Sequence, residues 1–204
     1  MVSNLDINWK GEEPVNPKNI DALSKRALRK NPGRAITAKA DELIITAEKI
    51  FRNAMAGSGV INLAEKEPVI SSGAYQNAQI SRRYVNFGKI TPENYRLIDY
   101  RDKAFFPALA QETGFQRSMF VEFEFTTDMA NGLGKSGTCR ADLEMTVLIL
   151  DARGKILYRK VVPAWSRETV KVLAGAYPLT EMMGLFSAAI DEACFNFLDF
   201  LVDD

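Results

Sequence analysis

The sequence contains no histidine. Histidine is the side chain best suited to proton transfer near neutral pH, and it is the commonest transition-metal ligand. Its absence excludes Ser-His and Cys-His nucleophiles, His-containing zinc sites and the usual non-heme iron triad. Any acid–base chemistry would therefore have to come from carboxylates, lysines or tyrosines, and the balance favours a protein that is not an enzyme.

Cysteine is scarce, since Cys139 and Cys194 are the only two in the chain. Two cysteines cannot supply four zinc ligands, and these two are not spaced as a Cys-x-x-Cys redox pair. One falls on a predicted strand and the other on the apolar face of a predicted helix. This favours two buried thiols, with a strand-to-helix disulfide as the alternative. We expect no metal site and no cofactor.

Long apolar runs and net charge are also missing. No stretch of 18 apolar residues occurs, so no transmembrane segment is expected. Lys plus Arg equals Asp plus Glu at 26 each, so no overall charge attracts nucleic acid. The 47% hydrophobic and 25% charged fractions are those of an ordinary globular protein. We therefore expect a single domain over residues 1–204, with a strand or an extended arm at residues 1–17.

Helical periodicity dominates the N-terminal half. It is strongest over residues 36–55, and Gly57-Ser58-Gly59 ends the pattern. An earlier amphipathic helix, opening at Asn19 and ending at Asn31-Pro32-Gly33, carries a basic patch that is a candidate docking site. Five cations and no acid lie from Lys25 to Arg34, which suits either a solvated helix face or a docking patch, and the candidate binding residues among them are Lys25, Arg26, Arg29 and Lys30.

Shorter elements are predicted between this half and the C-terminal half. Residues 60–63 read as a short buried strand, and residues 83–87 as an extended piece. Helices are predicted over residues 71–78, from Pro92 onward, and over residues 105–113.

The C-terminal half predicts a sheet and a helix that covers it. Apolar and acidic residues alternate over residues 121–125, and residues 139–151 and 156–162 complete a three-stranded antiparallel meander. Gly154 stands where the turn between the last two strands needs a positive φ. Thr180 is the predicted cap of a closing helix with a wide apolar stripe. The predicted fold class is α+β, an antiparallel or mixed sheet with helices packed on it.

The segment Gly134-Lys135-Ser136 has the spelling of the end of a phosphate-binding loop. The first glycine of that motif is missing, because Met129 stands in its place. A strand follows where the motif requires a helix, whose N-terminal amides would hold the phosphate. We therefore interpret residues 130–138 as a mobile hairpin loop, with Lys135 as a candidate contact to a partner.

Two clusters of polar residues leave alternatives open. Four acids share a predicted sheet face, which suits either a solvated surface or a carboxylate-dependent hydrolase: Glu122, Glu124, Asp142 and Glu144. Aromatic residues alternate with arginines in the middle of the chain, which favours core aromatics with solvated arginines or a protein-binding surface. The candidate binding residues there are Tyr95, Arg96, Tyr100 and Arg101.

The order of motifs over residues 43–202 resembles the αβ domain shared by the amino-terminal domain of the Tol-Pal translocation protein and the curli-secretion lipoprotein. The similar features are the helix leading into Gly57-Ser58-Gly59-Val60-Ile61, the helix at 108–114 leading into a strand at 120–125, the hairpin at 148–156 and the closing helix at 186–202. The glycine-rich loop is longer here, and the first strand is less apolar. The resemblance implies a bacterial envelope protein, often lipid-anchored, that works through protein contacts without a cofactor.

The sequence thus predicts a non-catalytic binding or assembly module with a protein partner, in the periplasm or at the outer membrane. A homo-oligomer is one form that such contacts could take, and a lipid anchor would lie upstream of Met1. The alternatives are a small-ligand-binding protein, the hydrolase named above, and a cytoplasmic location.

Overall fold

The computed structural model describes residues 2–7, 32–82, 91–92, 95–133, 136–173 and 177–203. Helices and strands follow one another as an α+β chain. Their bounds, in chain order, are β1 Val2–Ile7, α1 Pro32–Ser58, α2 Glu67–Ile70, α3 Gly73–Gln76, α4 Phe105–Thr113, β2 Arg117–Leu133, β3 Ser136–Asp151, β4 Ile156–Trp165, β5 Val170–Val172 and α5 Leu179–Asp203.

The described strands form one five-stranded mixed sheet. Its strand order is β1-β2-β3-β4, and β5 pairs with the far end of β3. Strands β2, β3 and β4 are antiparallel neighbours, which confirms the predicted meander. Strand β1 runs parallel to β2, with Val2 opposite Phe120. Parallel neighbours require a long crossover connection, and the chain between β1 and β2 supplies one.

One face of the sheet is covered by the two long helices. Phe51 of α1 packs 6.4 Å from both Phe123 of β2 and Phe197 of α5, measured between ring centroids. Phe125 of β2 meets Phe186 of α5 edge-on at 5.2 Å. Alternation places every second strand residue on this face, so the strands and both helical stripes bury their apolar sides together. This packing confirms the predicted inward stripes of both helices.

A second, smaller core covers one end of the opposite sheet face. Helix α4 brings Phe106 against Phe120 of β2, with ring centroids 5.7 Å apart. Tyr75 of α3 is fully buried beside Phe105. Helix α4 has the predicted bounds, because Gly114 takes the left-handed φ of 74° that ends it.

Several predicted elements differ from those observed. Residues 60–63 form no strand, and Val60 is exposed. No helix begins at Pro92 in the described chain, where Tyr95 N donates to Pro92 O in a single turn. Within the predicted helix at 71–78 only the residues of α3 are helical, and a separate short helix, α2, precedes them.

Two more differences concern ends of elements. Residues 130–138 form no long loop, because β2 and β3 pair as far as Leu133 and Ser136. Thr180 does not cap α5, which starts one residue earlier at Leu179. The predicted helix from Asn19 and the extended piece at 83–87 lie outside the described residues. Pro32 and Gly33, which were predicted to end that helix, instead begin α1.

A helix that crosses a bilayer must be both long and apolar, and none of the described helices meets both requirements.

Candidate functional site

A groove of about 1010 Å³ runs along the outer side of α5, between that helix and the β4–β5 segment. We call it the α5 groove. The strand side supplies Trp165, Arg167, Glu168, Thr169 and Val170, and the helix side supplies Glu181, Gly184, Leu185, Ala188, Asp191, Glu192 and Phe195.

The helix residues of the groove form a second stripe on α5. They recur at spacings of three and four, which places them on one side of the helix. The first stripe, on the sheet side, is buried at Phe186, Ala189, Ile190 and Ala193. The second side of α5 is mixed, because Leu185, Ala188 and Phe195 alternate there with the acids Glu181, Asp191 and Glu192.

Two of the residues that line the α5 groove are large aromatics with exposed side chains. Phe195 is 62% exposed and Trp165 is 49% exposed, whereas Val170 and Leu185, which also line the groove, are buried. The guanidinium of Arg140 lies 5.3 Å from the centre of the Trp165 ring, and Trp165 stands opposite Asp142 of β3, so its ring lies on the sheet face that carries these two residues. Exposed apolar surface of this kind, surrounded by polar residues, is typical of interaction sites.

Acidic residues predominate around the groove. Glu168, Glu181, Asp191 and Glu192 are set against a single cation, Arg167. Arg167 Nη2 already donates to Glu192 Oε2 at 3.2 Å. The groove therefore presents an apolar floor and a negatively charged rim.

A separate cleft of about 450 Å³ lies where the 60–66 segment passes the start of β2. Apolar side chains line most of it, including Leu63, Phe105, Met119 and Phe120. Arg52, Lys66 and Arg117 bring positive charge to it, and Glu65 brings negative charge. We call it the Arg52 cleft.

A buried polar cluster borders the Arg52 cleft. Glu48, only 8% exposed, accepts a hydrogen bond from Tyr95 Oη at 2.5 Å and one from Arg52 Nε at 3.1 Å. Arg52 Nη2 donates to Tyr95 Oη at 3.2 Å. Burial, together with the bond to Glu48, raises the pKa of Tyr95 well above its ordinary value. The cluster ties α1 to the chain around residue 95.

The four acids lie together on the sheet face opposite α1 and α5, as their strand parity predicted. Glu124 stands directly opposite Glu144, and Asp142 is opposite Thr126, whose Oγ1 donates to it at 3.4 Å. Arg140 pairs with Asp128 at 3.1 Å. Across the described residues, no group of three or more acids or cysteines is arranged to hold a metal ion.

Four of the candidate residues from the sequence lie near the second core. Tyr95 is 8% exposed and carries the hydroxyl described above. Arg96 Nη2 donates to Ala78 O at 3.0 Å, and the guanidinium of Arg101 lies 5.4 Å from the ring of Tyr100. Tyr100 meets Phe120 edge-on at 6.3 Å. None of the four lines the α5 groove.

The other five candidates, Lys25, Arg26, Arg29, Lys30 and Lys135, lie outside the described residues.

Sequence reasoning missed Trp165 and Phe195 as functional residues. The signal for Phe195 was present, because this aromatic residue lies off the inward stripe of α5. Trp165 ends β4, and only the fold brings this strand end to the groove that Phe195 also lines.

Cys139 and Cys194 are free and buried, which confirms the prediction of two thiols.

The chain was compared with protein-family models, with curated proteins and with solved structures, and none of the three comparisons found a match.

Proposed function

We propose that this protein is a non-catalytic binding module that contacts a protein partner through the α5 groove. The observation that carries the proposal is Phe195, a large aromatic side chain left 62% exposed in a groove that the buried Val170 and Leu185 also line. Tryptophan and other aromatic residues contribute a large share of binding energy at protein interfaces. Covering an aromatic side chain that the fold leaves in water lowers the free energy of the complex.

A second line of support is chemical. The sequence has no histidine, and the two thiols are buried with a pKa raised by loss of hydration, so neither is poised as a nucleophile. The paired carboxylates of Glu124 and Glu144 lie on an open sheet face outside the two concavities described above.

Site-specific photo-crosslinking in the source cells tests the proposal. A photoreactive amino acid at position 195 should give one discrete adduct, and the same probe at Asn53, exposed on α1, should give none. Ala188→Arg, at an exposed position on the same side of α5 as Phe195, should remove the adduct without changing the amount of folded protein. Equal adducts from both positions, or none from position 195, would refute the proposal.

We also propose that the protein works in the bacterial envelope. The resemblance in motif order supports this location. Fractionation of cells expressing the full gene product tests it, and recovery wholly in the cytosolic fraction would contradict it.

A second candidate function is small-ligand binding in the Arg52 cleft. Its volume lies within the range of ligand sites, and its lining is mostly apolar with a few polar groups. Saturable shifts of NMR signals from residues 60–66 on addition of a ligand would support it. The matching control is Leu63→Trp, whose larger side chain would fill the cleft and should abolish these shifts.

A further inference from the structure

We propose that the partner segment bound in the α5 groove is a basic amphipathic α-helix of a separate protein. This inference rests on the proposed function and specifies the chemistry of the partner. Three features of the groove support it: its charge, its length and an unexplained glycine.

The charge of the groove selects a cationic partner. Four acids line it, and its one cation is already paired with Glu192. A partner with lysines or arginines along the edges of an apolar face would meet these acids while its apolar side chains covered Phe195. An acidic partner would be repelled, so the rim discriminates between partners as well as attracting one.

The length of the groove fits a helix. Its helix side extends from Glu181 to Phe195, which corresponds to about 20 Å at the rise of an α-helix. A partner helix of about four turns would cover this length. The apolar floor with charged edges corresponds to the helix-in-groove mode of peptide recognition.

Gly184 is the feature that the fold itself does not explain. It lies inside α5, where glycine costs about 1 kcal/mol relative to alanine. A Cβ atom built on Gly184 would meet nothing within 4 Å, so no internal contact requires its absence. Gly184 is followed by the small residue Ala188 one turn later, on the same side. A bare backbone at this point allows a second helix to approach closely.

Tryptophan fluorescence provides a direct test when the probe stands at position 195, on the helix side of the groove. In a Trp9→Phe, Trp165→Phe, Phe195→Trp variant, position 195 carries the only tryptophan. A synthetic amphipathic peptide with leucines on one face and lysines on the other should shift its emission to the blue and saturate. The same peptide with glutamates in place of lysines should bind at least about tenfold more weakly. Raising the salt concentration should weaken the lysine peptide.

Variants of the groove separate charge from shape. Glu181→Gln and Asp191→Asn should each weaken the lysine peptide by about threefold, as expected for an exposed ion pair. Glu67→Gln, which removes an exposed acid from α2, should leave the affinity unchanged. Gly184→Leu should abolish binding of the peptide while the circular dichroism spectrum stays that of the folded protein.

The outcomes distinguish this inference from the proposed function. If crosslinking at position 195 succeeds but the glutamate peptide binds as well as the lysine peptide, the inference fails and the binding function remains. If the intact protein dimerises in sedimentation experiments and Gly184→Leu abolishes the dimer, the occupant is a second copy and the inference is overturned. Failure to obtain a crosslink at position 195 would overturn both the proposed function and this inference.

Discussion

Phe106 lies so close to the backbone of Gly154 that a Cβ atom there would come within 2.7 Å of the phenyl Cδ2. Gly154 has a φ of 77° in the turn between β3 and β4. The same residue therefore meets two demands, because the turn requires a left-handed conformation and helix α4 requires space for the ring. The hairpin and the second core are joined at this contact.

Gly154→Ala should lower the free energy of unfolding by about 2 kcal/mol or more, since it combines backbone strain with a steric clash. Gly59→Ala is the matched control, because Gly59 has a φ of 68° with nothing within 4 Å of its Cβ position. It should cost only about 1 kcal/mol. Urea unfolding measures both. Equal losses would show that Phe106 makes no steric demand.

Glu48→Gln should destabilise the protein by about 2 kcal/mol, because it leaves the half-buried Arg52 without its charged partner. Lys49→Gln, at the neighbouring exposed position of α1, should change the free energy of unfolding by less than about 0.5 kcal/mol. Denaturant titrations at constant pH compare the two. A neutral effect of Glu48→Gln would show that the cluster does not stabilise the fold.

The free energy of unfolding should fall as the pH rises from about 9 to 12. Burial raises the pKa of the Cys194 thiol to about 12 and that of Cys139 to about 11, from an ordinary value of 9.0. Above pH 9 the unfolded chain therefore releases protons that the folded chain keeps, which favours unfolding by up to about 1.4 kcal/mol per pH unit and thiol.

Cys194→Ala should make the free energy of unfolding fall less steeply with pH between pH 10 and 11. The tyrosines are the same in the variant and the parent protein, so they do not affect the difference between the two slopes. Denaturant unfolding at a series of pH values gives the two slopes. Parallel curves for the variant and the parent protein would contradict the account of the thiol.

Glu124→Gln should raise the free energy of unfolding by about 0.5 kcal/mol, because like charges directly opposite on neighbouring strands repel. The gain should shrink in 1 M salt, since screening already weakens the repulsion in the parent protein. Thermal melts at low and high salt measure it. A loss of stability would show that the two carboxylates share a favourable contact, as a cation-binding site would provide.

Elements with strong periodicity and clear end signals were predictable from the sequence. Helix α1 follows from a long run of apolar residues at helical spacing, and α4 from its terminal glycine. The β3–β4 hairpin follows from Gly154, which supplies the positive φ that the turn needs. In each case the local signal and the packing required by the fold agree.

Predictions failed where a local signal had no partner in the fold. Residues 60–63 are apolar enough for a buried strand, yet no described strand pairs with them, and Ile61 and Leu63 pack on the core without a ladder. Thr91 and Pro92 have the residue types of a helix start. Instead, Thr91 Oγ1 donates to Tyr95 O within a turn.

The α5 groove was beyond the reach of sequence reasoning because it combines two distant segments. Periodicity identifies the inward stripe of α5, but an exposed phenylalanine outside that stripe is common in globular proteins. Only the fold brings the end of β4 and this side of α5 to one groove and shows that Gly184 has open space beside it.

Gly184→Ala tests the central claim most directly, because stability and binding should change in opposite directions. The account predicts a melting temperature raised by a few degrees, since alanine favours the helix by about 1 kcal/mol. It also predicts a weaker photo-crosslink at position 195 and weaker binding of the lysine peptide, because the added methyl group holds a partner helix away. A variant that gains stability and binds its partner as well as the parent protein would contradict the claim that the α5 groove receives a closely packed helix.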